Sequence, residues 1–225
     1  MHIEPGVVDG AKMILACATA AGAATCTVRE TVADLSHSTA VSFALRTALA
    51  SVGTFVFFEV LPHFAVGVSE VHFILGTTLF VLLGSAPAAL GLALGLLVQG
   101  LFLAPSDLPM YFVNVTTLLV PLFAVSALAR RLVPQGTAYV DLTCADVLKL
   151  SALYQGGVVA WVAFWVFYGQ GVNAATFQSV LSFGAAYAVV LLIEPLADLT
   201  ALAGARAIRN TGAARLLARR LYDPA

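Results

Sequence analysis

HFILGTTLFVLLGSAPAALGLALGLLVQGLFLA, residues 72–104, decides how the chain is laid out. Apart from His72, Gln99 and three hydroxyls, everything in it is apolar or glycine. As one α-helix at about 1.5 Å per residue it would make a rod of roughly 50 Å. A bilayer core about 30 Å thick takes about 20 residues, so one crossing is too few. Gly84-Ser85-Ala86-Pro87 supplies a break, because Pro87 forbids continuing the helix and pushes Ala86 out of the helical region. Two helices are expected here, the first of them short.

Working outward, long apolar runs cover 11–28, 41–61, 111–129, 150–168 and 176–193. Together these readings predict an all-α integral membrane protein with about seven transmembrane helices. Composition agrees: 60% of the residues are hydrophobic and only 10% charged, against about 25% charged in soluble domains. Such a chain cannot clothe a water-facing surface. No long-period repeat or linker stands out, and 133–147 is too short for a second domain, so residues 1–225 form a single membrane domain.

Charge placement gives the orientation. With seven crossings the termini lie on opposite faces. An outside N-terminus puts Arg29, Arg46, Arg130, Arg131, Lys149, Arg206, Arg209, Arg215, Arg219 and Arg220 on the cytoplasmic side, leaving Lys12 alone near the outer face. This satisfies the positive-inside rule and makes the C-terminus cytoplasmic. The arginines of 201–221 alternate with Ala and Leu, which reads either as an amphipathic helix on the inner surface or as a charged topogenic tail. Residues 1–8 hold Glu4 and no Lys or Arg, unlike a secretory leader. They are expected to remain as an extracytoplasmic segment, with Met1 retained because His2 is bulky. Cys17, Cys26 and Cys144 show no disulfide or CxxC spacing and read as packing residues.

Three of the four histidines, His2, His63 and His72, fall on the outer side, while His37 falls in a cytoplasmic loop. Imidazole is the commonest metal ligand near neutral pH. The start MHI adds a specific chemistry. A free amine at Met1, the amide nitrogen of His2 and its Nδ1 can close five- and six-membered chelate rings around one ion. These donors are nearly coplanar, and a fourth nitrogen completes a square suited to Cu(II) or Ni(II), or to Co(II) in a constrained site. His72, at the head of the short helix, and His63, after Pro62 in the same loop, are the candidates for that fourth donor.

MHIEPG and SEVHFILGTTLFVLLGSAPAALGLALGLLVQGLFLA resemble the substrate-capture component of cobalt and nickel energy-coupling-factor transporters, the CbiM/NikM type. That family commonly starts MHI, two variable residues, then Gly. Its central segment runs from a histidine-bearing loop into a short Gly-rich helix and a Leu-x-x-Gln helix. The resemblance implies a metal held by Met1, His2 and His72, with Asn114 and His63 as possible outer-shell residues. It also implies Ni2+ or Co2+ as transported substrate, uptake across the cytoplasmic (inner) membrane of a prokaryote, and partners in a transmembrane scaffold (T component) and ABC ATPase subunits. The lipid bilayer is the other partner, and no nucleic acid is implied. This chain departs from the family at Glu4-Pro5, at Glu70 and at Tyr111-Phe112-Val113.

No GxxxxGK[ST] sequence occurs, so ATP hydrolysis is expected from partner subunits rather than from this chain. Four scattered histidines cannot build a di-metal oxygenase, and no Gly-x-Ser-x-Gly nucleophile appears, which argues against an enzyme. A stand-alone secondary metal carrier or a metal sensor is the alternative. Carriers usually place ionisable ligands near the midplane, whereas these histidines gather at one face. Ala16, Ala20 and Ala24 recur every four residues and would let a scaffold helix approach closely, unless they pack within the bundle. Gly91 and Gly95 make a similar seam, read as packing inside the bundle. Asp9 and Lys12 are expected to pair, Glu194 and Asp198 to face cytoplasmic arginines, and Trp161, Trp165 and Tyr168 to form an interfacial belt or a packing stripe.

Overall fold

The computed structural model describes residues 3–134 and 136–223. Its long helices are α1 (Met13–Leu35), α2 (Ala40–Phe55, continued by a π-helical turn Val56–Val60), α4 (Ser85–Phe102), α5 (Tyr111–Leu132), α6 (Cys144–Gln170) and α7 (Ala174–Ala207). Between α2 and α4 lie a hairpin, β1 (Phe64–Val66) and β2 (Ser69–Val71), and a short helix α3 (Gly76–Leu83). Side-chain oxygens start three of the helices: Thr39, Thr143 and Asn173 accept from the N–H groups of Ser42, Asp146 and Thr176.

Among the described residues six helices are long and apolar enough to cross a membrane. This is an all-α integral, multi-pass membrane protein. The seventh expected crossing is α3, and its 8 residues reach only about 12 Å. It fills one end of the bundle, and the hairpin and the irregular chain His72–Leu75 occupy the rest of that column.

Gly84 rather than Pro87 makes the break. Gly84 sits at φ 94°, a region open to glycine, and α4 resumes at Ser85 with Ala86 helical. Pro87 lies in the first turn of α4, where a missing N–H costs nothing because it would have no partner within the helix.

Close packing follows from small residues. A Cβ at Gly91 would stand 2.2 Å from Ala50 Cβ, and one at Gly95 2.6 Å from Thr54 Cγ2. The Gly91/Gly95 seam is therefore α4 seated on α2, inside the bundle as expected. On α1 the buried residues are Ala16, Ala23 and Thr27, while Ile14, Val28 and Val32 are exposed. Ala16 is consumed by this internal packing, so Ala16, Ala20 and Ala24 do not form one outward face; only Ala24 of the three is exposed. Trp165 is fully buried and Trp161 donates to Thr116 Oγ1 at 3.2 Å, which makes the Trp161/Trp165/Tyr168 set mainly a packing stripe.

At the arginine-rich end, Arg46 is 2% exposed. It donates to both carboxylate oxygens of Asp34 at 2.5 and 2.9 Å, and to Leu83 O at 2.8 Å. It thus joins α1, α2 and the last turn of α3. The expected tail helix over 201–221 is not continuous. α7 runs on to Ala207, turns through Ile208–Thr211 ahead of Gly212, and a last short helix α8 (Arg219–Tyr222) follows. Ala218 donates to Leu82 O at 2.7 Å and Leu221 is buried, so this segment straps onto the bundle.

Two further expectations change. Lys12 donates to Gly169 O at 2.6 Å, linking α1 to the end of α6 instead of pairing with Asp9. Glu194 and Asp198 lie buried within α7, facing α3 and not the arginines: Glu194 accepts backbone N–H groups and Asp198 accepts from the Thr78 hydroxyl.

The seam makes a testable statement. Gly91→Ala should destabilise the protein by about 1–3 kcal/mol through overpacking against Ala50. Gly204→Ala, with open space around it, should be neutral or slightly stabilising. Thermal unfolding of the two variants in detergent checks this.

Candidate metal centre

The hairpin is a sequence effect that alternation over so few residues conceals. FAV and SEV flank a two-residue loop, Gly67-Val68, with Gly67 at φ 62° in the position that a type II′ turn reserves for glycine. Phe64 pairs with Val71, Ala65 with Glu70 and Val66 with Ser69. A Cβ on Gly67 would stand 3.0 Å from Ser179 O, so the hairpin tip rests on the first turns of α7.

The chain start completes this small sheet. Ile3 forms an antiparallel bridge with Ser69, and Glu4 N–H donates to Val68 O at 3.2 Å. Ile3 is wholly buried, as are Val7 and Val8 nearly. Ile3 N–H donates to Asn114 Oδ1 at 2.8 Å, with Asn114 itself 1% exposed. Further along, a Cβ on Gly169 would lie 1.9 Å from Val7 O, so only glycine there admits the segment. Residues 3–8 are therefore threaded into the bundle between β2, α5 and α6.

Strand β2 leads straight to the histidines. His72 is 1% exposed and His63 is exposed, yet their rings stack at 4.9 Å between centroids with 8° between planes. The two candidates for a fourth donor are thus neighbours. Phe58, from the π-helical turn after α2, meets His72 edge-on at 5.3 Å. Glu70 Oε2 stands 3.5 Å from His72 Nε2 and can orient the imidazole, as outer-shell carboxylates do for ligating histidines. Beyond His72, Leu75 adopts a left-handed conformation at φ 51°, and Glu194 Oε1 accepts from Ile74 and Leu75 N–H at 2.6 and 3.0 Å. A left-handed leucine costs about 1–2 kcal/mol, and the pair of hydrogen bonds to a buried carboxylate offsets it.

Met1 and His2, the other expected donors, lie outside the described residues. Among the described residues no group of three His, Cys, Asp or Glu side chains is placed to hold a metal ion. What the geometry provides is a stacked histidine pair beside a carboxylate, with the backbone of residue 3 fixed one strand away. Asn114, expected as a possible outer-shell residue, is placed against the chain start. Glu70 and Glu194 were not singled out for the site. Glu70 could have been, since it sits two residues before His72; Glu194 is 120 residues from Ile74, and no local signal joins them.

By class this is a polytopic helical membrane protein whose residues 3–8 fold back into the bundle near a buried histidine. The chain belongs to the CbiM family: the family model described as the cobalt uptake substrate-specific transmembrane region matches residues 2–211. It is accordingly a component of cobalt uptake and not an enzyme. No curated protein and no solved structure matches the chain.

Asn114→Leu removes the acceptor for Ile3 N–H and leaves that buried donor unsatisfied. A loss of about 1–3 kcal/mol corresponds to about five- to 150-fold weaker Co2+ capture. Asn114→Asp, which keeps an oxygen in place, should retain most of it. Co2+ titration, with hydrogen exchange at the Ile3 amide as a second readout, checks both variants.

Proposed function

We propose that the chain captures Co2+ or Ni2+ at its outer face, as the substrate-specific component of an energy-coupling-factor type ABC uptake transporter in the cytoplasmic membrane of a prokaryote. The observation that carries this reading is the insertion of the chain start. Ile3, bridged to Ser69 and bonded to Asn114, is fixed against the strand that leads to His72. The Met1 amine, the His2 amide nitrogen and the His2 Nδ1 then supply three coplanar donors, and His72 supplies the fourth. His63, stacked on His72, shields that donor from the outer side.

Orientation rests on charge. The histidine end carries Lys12, whereas Arg46, Arg130, Arg206, Arg209, Arg219 and Arg220 gather at the other end, which the positive-inside rule makes cytoplasmic. A transmembrane scaffold and ABC ATPases would drive inward release. The exposed side of α1, which carries Ile14, Ala24, Val28 and Val32, offers the scaffold an apolar surface without Ala16. A stand-alone carrier or sensor remains the competing reading; capture of metal without any ATP-dependent uptake in vesicles containing the partners would favour it.

Nitrogen ligation by a peptide amide displaces its proton, so affinity should rise with pH. The decisive experiment inserts one Gly between Met1 and His2, which destroys the chelate rings and keeps every side chain. Elemental analysis after exposure to Co2+ and to Ni2+ should find one tightly bound ion in the unaltered protein, and none bound tightly in the insertion variant. Equal retention by both proteins would overturn the chelate.

A further inference from the structure

The hairpin that leads to His72 sorts the neighbours of that ring by exposure. Phe64 pairs with Val71 and Ala65 with Glu70, so the same register continued by one step sets His63 opposite His72. Side chains alternate along a strand, which places His63, Glu70 and His72 on one face of the hairpin. The stacking of the two rings follows from that register. Among the described residues, Phe58, Glu70 and His63 stand against His72. Phe58 is wholly buried, and so is the His72 side chain at 0% exposed. The Glu70 side chain is 30% exposed, and His63 is exposed. Of these three neighbours, the two that reach the outer surface are the two that carry metal-ligating atoms.

Ring geometry decides how the two histidines can share an ion. An imidazole nitrogen ligates an ion lying in its own ring plane, about 2 Å away. The His63 and His72 planes are 8° apart in a stack with 4.9 Å between centroids. Their lone pairs therefore point within parallel layers, and one ion cannot sit on both. Among the described residues no three His, Cys, Asp or Glu side chains are placed to hold an ion together. In this arrangement His63 and His72 hold one ion only in succession. His63 Nδ1 lies 3.3 Å from Leu61 O. An N–H donated to that carbonyl leaves Nε2 as the nitrogen with a lone pair for metal.

We infer that His63 is the entry ligand for the divalent transition-metal ion and hands it to His72 across the face of the hairpin. The inference rests on the capture reading above. The hydrated ion loses a water as His63 Nε2 binds, and His63 lets go as His72 takes its place, so only bonds to the metal change. Glu70, on the same face, adds a negative charge at the rim that draws a dication toward the pair. A ligand used on the way in is used equally on the way out. His63 therefore sets the speed of exchange, while the final affinity belongs to the donors that keep the ion.

Stopped-flow mixing of the full chain in detergent with Co2+ reads association from the absorption of the bound ion, and a chelator chase reads dissociation. His63→Phe keeps a flat ring over His72 and removes the nitrogen. It should slow association and dissociation together, each by about tenfold. His63→Asn should do the same, and His63→Asp, nearly equal in size but with a ligating carboxylate, should recover most of the speed; this pair serves if His63→Phe does not fold. Glu70→Gln should slow association and flatten its dependence on ionic strength. Rates unaltered by both His63→Phe and His63→Asn, or affinity lost while association keeps its speed, would overturn the hand-over alone. No Co2+ binding by the unaltered protein would overturn the capture reading and the hand-over together.

Discussion

Glu194 Oε1 accepts the N–H groups of Ile74 and Leu75, and on that contact the whole column between α2 and α4 depends. In lipid, irregular backbone survives only where protein satisfies its polar groups. The stretch from His63 to Leu75 is irregular or hairpin, and it enters a bundle of long helices. Glu194 supplies its acceptor at the point where it becomes α3. Arg46 does the converse at the other end, donating to Leu83 O. A side-chain acceptor at the start of a short helix and a cation at its end satisfy its terminal backbone groups. Both side chains are buried, and Arg46 is balanced by Asp34. α3 is thereby fixed at both ends, and His72 lies two residues before the Ile74 clamp.

The histidine end is built differently. Among the described residues, shape and uncharged hydrogen bonds hold residues 3–8. Gly169 leaves space for the Val7 carbonyl, Ser69 offers a strand edge to Ile3, and Asn114 accepts its N–H. An edge strand ordinarily invites pairing with another chain. Here Ile3 and Glu4 cover part of that edge, and the same contacts bury Ile3 beside the strand that leads to His72.

The placement of the six long helices was legible in the sequence because the apolar runs are long, while the expected seventh crossing is the 8-residue α3. The break near residue 84 was legible too, although glycine conformation and not proline made it; Pro87 simply falls where a helix tolerates it. The hairpin was not, since FAV and SEV are too short to show a period of two. His72 and His63 were both readable as candidates, but their stacking was not, because it depends on the turn of the chain between Leu61 and Phe73. Glu194 and Asp198 looked like residues at a helix end. α7 instead runs to Ala207, so they are interior. Contacts across a hundred residues or more, such as Ile3 with Asn114 and Ile74 with Glu194, leave no trace in local pattern.

Those same long separations set the order of assembly. The seat of the chain start needs Asn114 on α5 and Gly169 at the end of α6, and the His72 segment needs Glu194 on α7. A ribosome delivers these partners long after residue 3 has emerged, and non-local contacts carry the loop-closure entropy of everything between them. Residues 3–8, made early, are thus among the last to find their place. Until α6 is inserted the opening segment has no complete seat, and until α7 follows the His72 segment lacks Glu194, so an incompletely made chain has no finished histidine end.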